Sequence, residues 1–199
     1  MTQNSFTHAL VLGSFSFIFG LLLIVTNSMT ADDIVLRAKE DRQNSVSQVI
    51  PANIHDNNLV ADTIILKNDN GQDMTIYRAV KNGKVTGLAY EISGSGYAGE
   101  IKLMLGIDSD GQILGVRVLS HQETPGLGDR INEKKTDWIL KFTGLSLNNP
   151  TIDKWKVIKD GGVFDQFSGA TITPRGVVAA IRGGLEFFAN HRQELTQLN

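Results

Sequence analysis

The N-terminal end of the chain restricts its fold most, because residues 1–31 contain no Asp, Glu, Lys or Arg. Within this stretch the sequence ALVLGSFSFIFGLLLIVT, residues 9–26, is almost wholly apolar. A helix of that length rises about 27 Å, which is close to the thickness of the hydrocarbon core of a bilayer. The sequence therefore predicts a single N-terminal transmembrane anchor over residues 1–31.

A cleaved signal peptide is the alternative interpretation of the same segment. It is disfavoured because the segment lacks a basic N-terminal region, is longer than a usual signal-peptide core, and has no small-x-small cleavage site. The distribution of charge gives only weak information about orientation. Arg37, Lys39 and Arg42 follow the span and no basic residue precedes it, so the positive-inside rule by itself favours a cytoplasmic domain.

Length and charge limit the rest of the chain to one ordinary domain. The chain has 199 residues, a net charge of −2 and a pI near 6.1. About 165 residues remain after the anchor, enough for one hydrophobic core. A near-neutral chain does not favour nucleic acid, which requires a basic face. The absence of cysteine excludes a thiolate-held iron–sulfur cluster, a disulfide framework and a thioether-attached haem.

The pattern of apolar residues predicts a helical connector followed by a sheet. Residues 32–60 are charged and compatible with a helix that Pro51 stops, so the folded domain is assigned to residues 61–199. Five short apolar or alternating runs follow, joined by turn sequences such as KNG and SDG, which predicts a mainly antiparallel sheet. The runs are DTIILK, MTIYRAVK, KVTGLAYEI, EIKLMLGID and QILGVRVLS.

Helices are predicted to cover this sheet. NEKKTDWILKF, residues 132–142, has the composition of a short helix. In the last helix Thr173 is predicted to be the cap and Pro174 the first helical residue, with the end near Leu195. An apolar stripe should face the core; it consists of Val177, Val178, Ile181, Leu185 and Phe188. The predicted fold class is α+β: a mainly antiparallel sheet covered by helices, on a single N-terminal transmembrane helix.

Three glycine-rich segments are the candidates for binding. They are SGSGYAGEI (residues 93–101), SHQETPGLGDR (residues 120–130) and FDQFSGATITPRG (residues 164–176). Glycine allows a ligand to approach the backbone closely. His121 and Glu123 are too few to hold a metal, so no metal site is predicted. TPGLG is typical of a rigid turn that offers backbone amides to carbonyl or phosphate oxygens.

The third segment places a threonine just before a helix. A helix N-terminus has unpaired N–H groups and a partial positive charge, so it is a natural site for phosphate. Spacing leaves two interpretations open, since Thr171 is either a reachable hydroxyl or an ordinary loop residue beside a Thr173 cap. Neither the Gly-x4-Gly-Lys phosphate loop nor the Gly-x-Ser-x-Gly nucleophile elbow is present.

DQFSGAT, residues 165–171, matches the flavinylation motif Asp-x-x-Ser/Thr-Gly-Ala-Thr of the FMN-binding domain family. SHQETPGLG and GYAGEI resemble the other two characteristic segments of that family. With the single N-terminal span and the chain length, the whole sequence resembles the RnfG/RsxG family of the Rnf/Rsx-type ion-translocating electron transport complex. The related NqrC family of the sodium-translocating NADH:quinone reductase is the alternative, although this chain is short for it. A flavin-free tethered scaffold is the third hypothesis.

The resemblance implies FMN bound covalently to Thr171 through a phosphoester. Three residues would pack beside the ribityl phosphate: Ser168, Gly169 and Ala170. The isoalloxazine would be lined by Glu123, Thr124, Gly126, Leu127 and Gly128, with Tyr97 nearby. Lys159 would offer a positive charge to the flavin or the phosphate, and Asp165 would be read by the flavin transferase.

The same resemblance implies an electron-transfer component of a redox-driven ion translocase, with no catalytic side chain of its own. Its partners would be the other membrane subunits of the complex and, during maturation, the flavin transferase. It would be a single-pass protein of the bacterial inner membrane with its FMN domain on the periplasmic side. The positive-inside count opposes this orientation, but Asp32 and Asp33 lie nearer the membrane than the basic residues.

Overall fold

A computed structural model describes residues 2–68 and 71–197 and divides the chain into two compact units, residues 1–42 and 43–199. The boundary between the units falls inside the segment predicted to be a connector, while the predicted domain limits at residues 31 and 60 stay predictions. The first helix, α1, spans Thr2–Val49. Its final residues, from 43 onward, belong to the second unit.

The first unit contains a helical segment that is long and apolar enough to cross a membrane. This candidate span is Phe6–Ala31, with a mean hydropathy of 2.4. Its large apolar side chains are exposed, from 47% at Val25 to 77% at Met29. Exposure of this kind fits a helix whose solvent is lipid rather than water.

The second unit is built on a five-stranded sheet in which each strand pairs with its neighbour in sequence. The strands are β1 (Thr63–Lys67), β2 (Asp73–Lys81), β3 (Lys84–Ser95), β4 (Glu100–Asp108) and β5 (Ile113–Ser120), in the order β1-β2-β3-β4-β5. All four pairings are antiparallel. Asn82 and Gly83 join β2 to β3 with φ values of 52° and 70°, the left-handed conformation that a two-residue hairpin turn requires. The five predicted strands and the α+β class are confirmed.

The two faces of the sheet are covered by different helices because alternate side chains point to opposite sides. One face carries Leu88, Tyr90 and Leu105 and packs against the last helix, α2 (Ile172–Thr196). The predicted apolar stripe of α2 is buried there, as expected. The other face carries Ala89 and Met104 and forms a smaller core with the end of α1.

The connection between β5 and α2 consists of loops and 3-10 turns rather than α-helix. These turns are Gly128–Ile131, Asp137–Phe142, Ile152–Lys154 and Ile158–Asp160. The predicted helix over residues 132–142 is therefore wrong in type and in its start. The Asn132 side chain accepts the Lys134 N–H at 2.9 Å, which ends the preceding turn, and the Thr136 hydroxyl accepts the Trp138 N–H at 3.3 Å, which begins the next one.

Candidate functional site

The three glycine-rich segments meet at one buried carboxylate. Glu123 is only 5% exposed. Its Oε1 accepts the backbone N–H of Ala98 at 2.9 Å, and its Oε2 accepts the hydroxyl of Thr173. Ala98 lies in the first segment, Glu123 in the second and Thr173 at the start of α2. The three segments, which are separate in the sequence, thus form a single site.

The electrostatics of Glu123 fit this role. Burial raises the pKa of the Glu123 carboxyl, but hydrogen bonds from Thr173, Ala98 and Tyr97 outweigh burial and leave the pKa below its ordinary value. His121 adds a smaller favourable charge interaction in the same direction. Glu123 is therefore an anion at neutral pH, and it holds the surrounding backbone by accepting hydrogen bonds.

Glycine is required where the segments approach one another. A Cβ at Gly128 would lie 2.6 Å from Glu123 Oε2 and 2.7 Å from Thr173 Oγ1. A Cβ at Gly94 would lie 2.6 Å from the carbonyl oxygen of Gly176, and one at Gly176 would overlap the carbonyl oxygen of Ser95. The end of β3 and the first turn of α2 are consequently in backbone-to-backbone contact.

The segment that carries the threonine is held in place by two buried phenylalanines. Phe164 stacks on Phe142 with ring centroids 4.8 Å apart, and Phe167 meets Trp138 edge-on at 5.3 Å. Between them, the carbonyl oxygen of Asp165 accepts the Trp138 indole N–H at 2.9 Å. The loop backbone is thus fixed by the core, while residues between and after the phenylalanines face outward.

A tight turn leads from Phe167 to the helix. The Ala170 N–H donates to the Phe167 carbonyl oxygen at 3.1 Å, which closes a four-residue turn. Gly169 occupies its third position with φ 80°, a conformation that favours glycine there. Ser168 and Gly169 are exposed at the tip, and Ala170 is half-buried.

Thr171, not Thr173, occupies the N-cap position of α2. The helix begins at Ile172, two residues earlier than predicted, so the predictions that Thr173 caps the helix and that Pro174 is its first residue are wrong. The physical reason is that the Thr173 hydroxyl is buried and engaged with Glu123. The Thr171 side chain is half-buried, and it makes no capping hydrogen bond to α2 as the structure describes this helix. Its hydroxyl is therefore not used by the helix.

The surface beside Thr171 is open and partly apolar. A Cβ on Gly126 would meet no atom of the described chain within 4 Å, and a Cβ on Gly169 would meet only Leu127 Cδ2, at 3.6 Å. Leu127 is 43% exposed and Ile172 is 45% exposed. Exposed apolar side chains around a glycine-lined surface suit a flat aromatic group, and the start of a 25-residue helix suits a phosphate. The residues present therefore fit FMN.

The residues predicted to line the isoalloxazine differ in their exposure and in their contacts. Tyr97 is 73% exposed. The Thr124 carbonyl oxygen accepts the Leu127 N–H at 3.1 Å and so closes the TPGL turn. The structure thus brings the second segment next to the turn of the third, whereas the Glu123 carboxylate points into the protein toward its own donors.

Lys159 and Asp165 are two exposed residues that precede the turn formed by residues 167–170. Lys159 is exposed, and its backbone N–H donates to Gln166 Oε1 at 3.2 Å. Asp165 is exposed and pairs with Lys141 at 2.9 Å. Next to Asp165 is a cleft of about 380 Å³. Its lining residues are Arg130, Thr136, Asp137, Trp138, Lys141, Asp165, Gln166, Phe167 and Ser168.

Sequence reasoning missed two residues of the site, Asp129 and Arg175, and gave a third, Thr173, the wrong role. Asp129 accepts the Gly126 N–H at 2.7 Å and fixes the TPGLG turn from inside. Thr173 ties α2 to Glu123, and Arg175 makes a two-point ion pair with Asp160. An acid that directly follows a glycine turn is a signal that the sequence offers for Asp129, but the partners of Thr173 and Arg175 lie 50 and 15 residues away and leave no local pattern.

Comparison with known proteins gives two kinds of sequence similarity. Residues 96–186 match the family model of the FMN-binding domain. The chain is 48% identical over 186 residues to the G subunit of the ion-translocating oxidoreductase complex of Cereibacter sphaeroides strain ATCC 17029, covering 94% of this chain and 85% of the relative. It is 48% identical over 179 residues to the protein of the same name from Vibrio vulnificus strain YJ016, covering 87% and 84%.

Two crystal structures share the fold. NqrC of Shewanella oneidensis has a TM-score of 0.50 at 25% identity, with 73% of each chain covered. The C subunit of the Na⁺-translocating NADH-quinone reductase of Parabacteroides distasonis has a TM-score of 0.51 at 17% identity, covering 81% of this chain and 94% of that one. At 17% identity the second likeness concerns the fold alone.

Proposed function

The chain belongs to the family of the ion-translocating oxidoreductase complex G subunits, and from that premise we propose that it carries electrons through FMN bound covalently to Thr171 by a phosphoester. The observation that carries the proposal is the state of the Thr171 side chain. Its hydroxyl stands at the start of α2 without a capping hydrogen bond to the described helix, next to the turn built on Gly169. A hydroxyl in this position is available for modification and lies at the end of a helix that favours a phosphate.

Attachment is a group transfer that requires a separate flavin transferase and FAD as donor. A bond forms between Thr171 Oγ1 and the FMN phosphorus of FAD, the bond from that phosphorus to the bridging oxygen breaks, and AMP leaves. The hydroxyl proton passes to a base of the transferase. Asp165, exposed at 56% of its side chain, is accessible to that enzyme.

This chain's residues would bind and orient the cofactor rather than react. FMN supplies the redox chemistry when bound, accepting and donating electrons. Leu127 and Gly126 would line the ring, Ser168 to Ala170 would pack near the phosphate, and the first-turn N–H groups of α2 would face it. Glu123 would position the residues that contact the cofactor rather than contact it directly, since both of its carboxylate oxygens accept hydrogen bonds from protein donors.

The candidate span Phe6–Ala31 supports a membrane anchor, and the proposed location of the domain is the periplasmic side of the bacterial inner membrane. A covalent bond is useful on that side because no pool of free FMN replaces a lost cofactor there. The proposed partners are the other membrane subunits of the complex. Exposure of residues 33–42 to a protease added outside spheroplasts tests the orientation, since a cytoplasmic domain is protected.

Membership of a sodium-translocating NADH:quinone reductase is a second candidate function, favoured by the fold shared with NqrC of Shewanella oneidensis. Both functions use the same chemistry and differ in their partners. Mass spectrometry of the complex purified gently from native membranes identifies the co-purifying proteins and decides between them. Absence of flavin from that material is the result expected of the scaffold hypothesis.

Substitution of Thr171 tests the attachment site. The full-length chain, produced with a flavin transferase, should run as a fluorescent band on a denaturing gel and gain the mass of one FMN less water. Thr171→Ala should lose both signals, while Thr143→Ala, at an exposed threonine away from the turn, should keep them. A Thr171→Ala protein that remains fluorescent would refute the assignment.

A further inference from the structure

The first turn of α2 carries a charge of the wrong sign for a helix start. Helices favour acidic residues there because the N-terminus has a partial positive charge. The first turn of α2 contains no acidic residue, and Arg175 is the fourth residue of the helix. An arginine so placed is disfavoured by the helix dipole and needs an anion nearby.

Among the described residues Arg175 pairs with one anion, and that partner belongs to a different loop. Its Nε and a terminal nitrogen donate to the two carboxylate oxygens of Asp160 at 2.6 and 2.8 Å. The pair is open to solvent, with 48% of the Arg175 side chain and 32% of the Asp160 side chain exposed. Exposed ion pairs contribute little to stability, so exchange of this partner has a small cost.

Arg175 is also placed to reach a group attached to Thr171. The two residues are four positions apart, and the Arg175 N–H donates to the Thr171 carbonyl oxygen at 3.3 Å. Residues i and i+4 lie on the same face of a helix, and side chains lean toward the helix N-terminus. The helical register therefore puts the Arg175 side chain within reach of a group attached to Thr171.

We propose that Arg175 is a binding residue for the flavin phosphodiester on Thr171, and that it exchanges Asp160 for the phosphate when the cofactor is attached. The proposal rests on the proposed function, because it requires a phosphoester at Thr171. Guanidinium suits this role because its planar set of donors matches two phosphate oxygens.

Two other cations of the site are less well placed. Arg130 lies over the Phe167 ring, with its guanidinium carbon 5.1 Å from the ring centroid. Lys159 is adjacent to Asp160, but it contacts the motif through its backbone N–H, which donates to Gln166. Arg175 alone among these three is in helical register with Thr171.

Three variants of the full-length chain in detergent separate a phosphate contact from a structural ion pair. Arg175→Gln and Asp160→Asn both abolish the pair, but only the first removes the cation. Arg192→Gln is the matched control, since Arg192 lies on the same helix, is 51% exposed and pairs with Asp110 at 3.0 Å. Each protein is compared before and after modification by flavin transferase with FAD, using the ³¹P resonance of the phosphodiester and the thermal midpoint.

Arg175→Gln should shift the ³¹P resonance and reduce the rise in Tm that accompanies flavin attachment by about 2–4 °C. Asp160→Asn and Arg192→Gln should keep the wild-type resonance and the wild-type rise. The proposal is overturned if Arg175→Gln retains either property, or if Asp160→Asn loses them as Arg175→Gln does. A wild-type chain that takes up no flavin instead refutes the proposed function, so the two failures are distinguishable.

A complete block of attachment in Arg175→Gln calls for the charge-retaining variant. Arg175→Lys keeps the cation but not the two-point geometry. If it restores flavin uptake, the positive charge at this position is needed and the proposal stands. If it takes up no flavin while Asp160→Asn does, the proposal is overturned.

Discussion

On each face of the sheet a helix packs closely against glycine residues, but the residues that form the two contacts differ in character. On one face the first turn of α2 touches the end of β3 at Gly94 and Gly176. On the other, the last turn of α1 rests on Gly106 and Gly115, which lie opposite each other on β4 and β5. The first contact is next to Thr171 and near the buried pair formed by Glu123 and Thr173, whereas the second is made largely by Val49.

This difference separates binding from anchoring within one domain. The α2 face contains polar groups that are costly to bury unless they are paired, which is typical of a site under functional constraint. The α1 face buries Val46, Val49 and Ile50, each no more than 1% exposed. Damage to the α1 face should therefore affect stability alone, and damage to the α2 face should affect stability and flavin attachment together.

Truncation should have the largest effect. A fragment that begins at residue 61 lacks Val46, Val49, Ile50 and Leu59, each of which contributes about 1.5–3 kcal/mol by burial. Their combined loss is comparable to the whole stability of an ordinary domain, about 5–15 kcal/mol. The fragment should not unfold cooperatively in urea, whereas one that begins at residue 43 should. Equal unfolding curves for the two fragments would show that the second core is dispensable.

Substitution of the contact glycines should have an intermediate effect and compare the faces directly. In Gly106→Ala the added methyl overlaps the Val49 carbonyl oxygen, and in Gly176→Ala it overlaps the Ser95 carbonyl oxygen. Each should lower the free energy of unfolding by about 3 kcal/mol, the upper end of the overpacking range, because backbone yields little. Only Gly176→Ala should also reduce flavin fluorescence per folded molecule.

Gly183→Ala is the control for these two variants. Gly183 lies on α2, and its missing Cβ would meet no atom of the described chain within 4 Å, so alanine should stabilise the protein by about 0.5–1 kcal/mol through helix propensity. Equal loss of flavin in Gly106→Ala and Gly176→Ala would contradict the division of roles between the faces.

Thr173→Val should have the smallest destabilising effect, about 1–2 kcal/mol at neutral pH, because it leaves a Glu123 carboxylate oxygen without its donor. The pKa of Glu123 is lower in the folded protein than in the unfolded chain. Ionisation of Glu123 therefore stabilises the fold at pH values above the ordinary carboxyl pKa. This stabilisation is lost as the pH falls through the pKa of the folded state. Valine removes the strongest of the contacts that lower this pKa. The cost should therefore shrink in acid, as urea titrations at neutral and acid pH will measure; a cost independent of pH would contradict this account.

Local pattern predicted most of the fold, because strands and the α2 stripe repeat at fixed intervals. The alternation in β3 and β4 and the turn at Asn82–Gly83 are both readable without tertiary contacts. The end of α1 is different. Val46, Val49 and Ile50 have helical spacing, but they lie in a polar stretch that resembles a solvated connector, and only the glycines on β4 and β5 show what they pack against.

For the candidate site, the sequence motif supplies the hypothesis that Thr171 is the attachment residue, but not the contacts that depend on distant partners. The motif pointed to Thr171, and the glycine-rich segments do converge. The sequence could not show that Glu123 faces Thr173, 50 residues away, nor that this contact moves the start of α2 to Ile172. Side chains whose orientation depends on such long-range hydrogen bonds are beyond periodicity and capping rules.

The burial of Phe164 and Phe167 has a consequence for the order of biosynthesis. The aromatic core fixes both sides of Asp165, so the loop that leads to the proposed acceptor, Thr171, takes its position from contacts within the chain itself. On the proposed function, maturation can then be deferred: an unmodified chain would remain a competent substrate until the flavin transferase and FAD arrive, and a shortage of riboflavin would delay activation without generating misfolded protein.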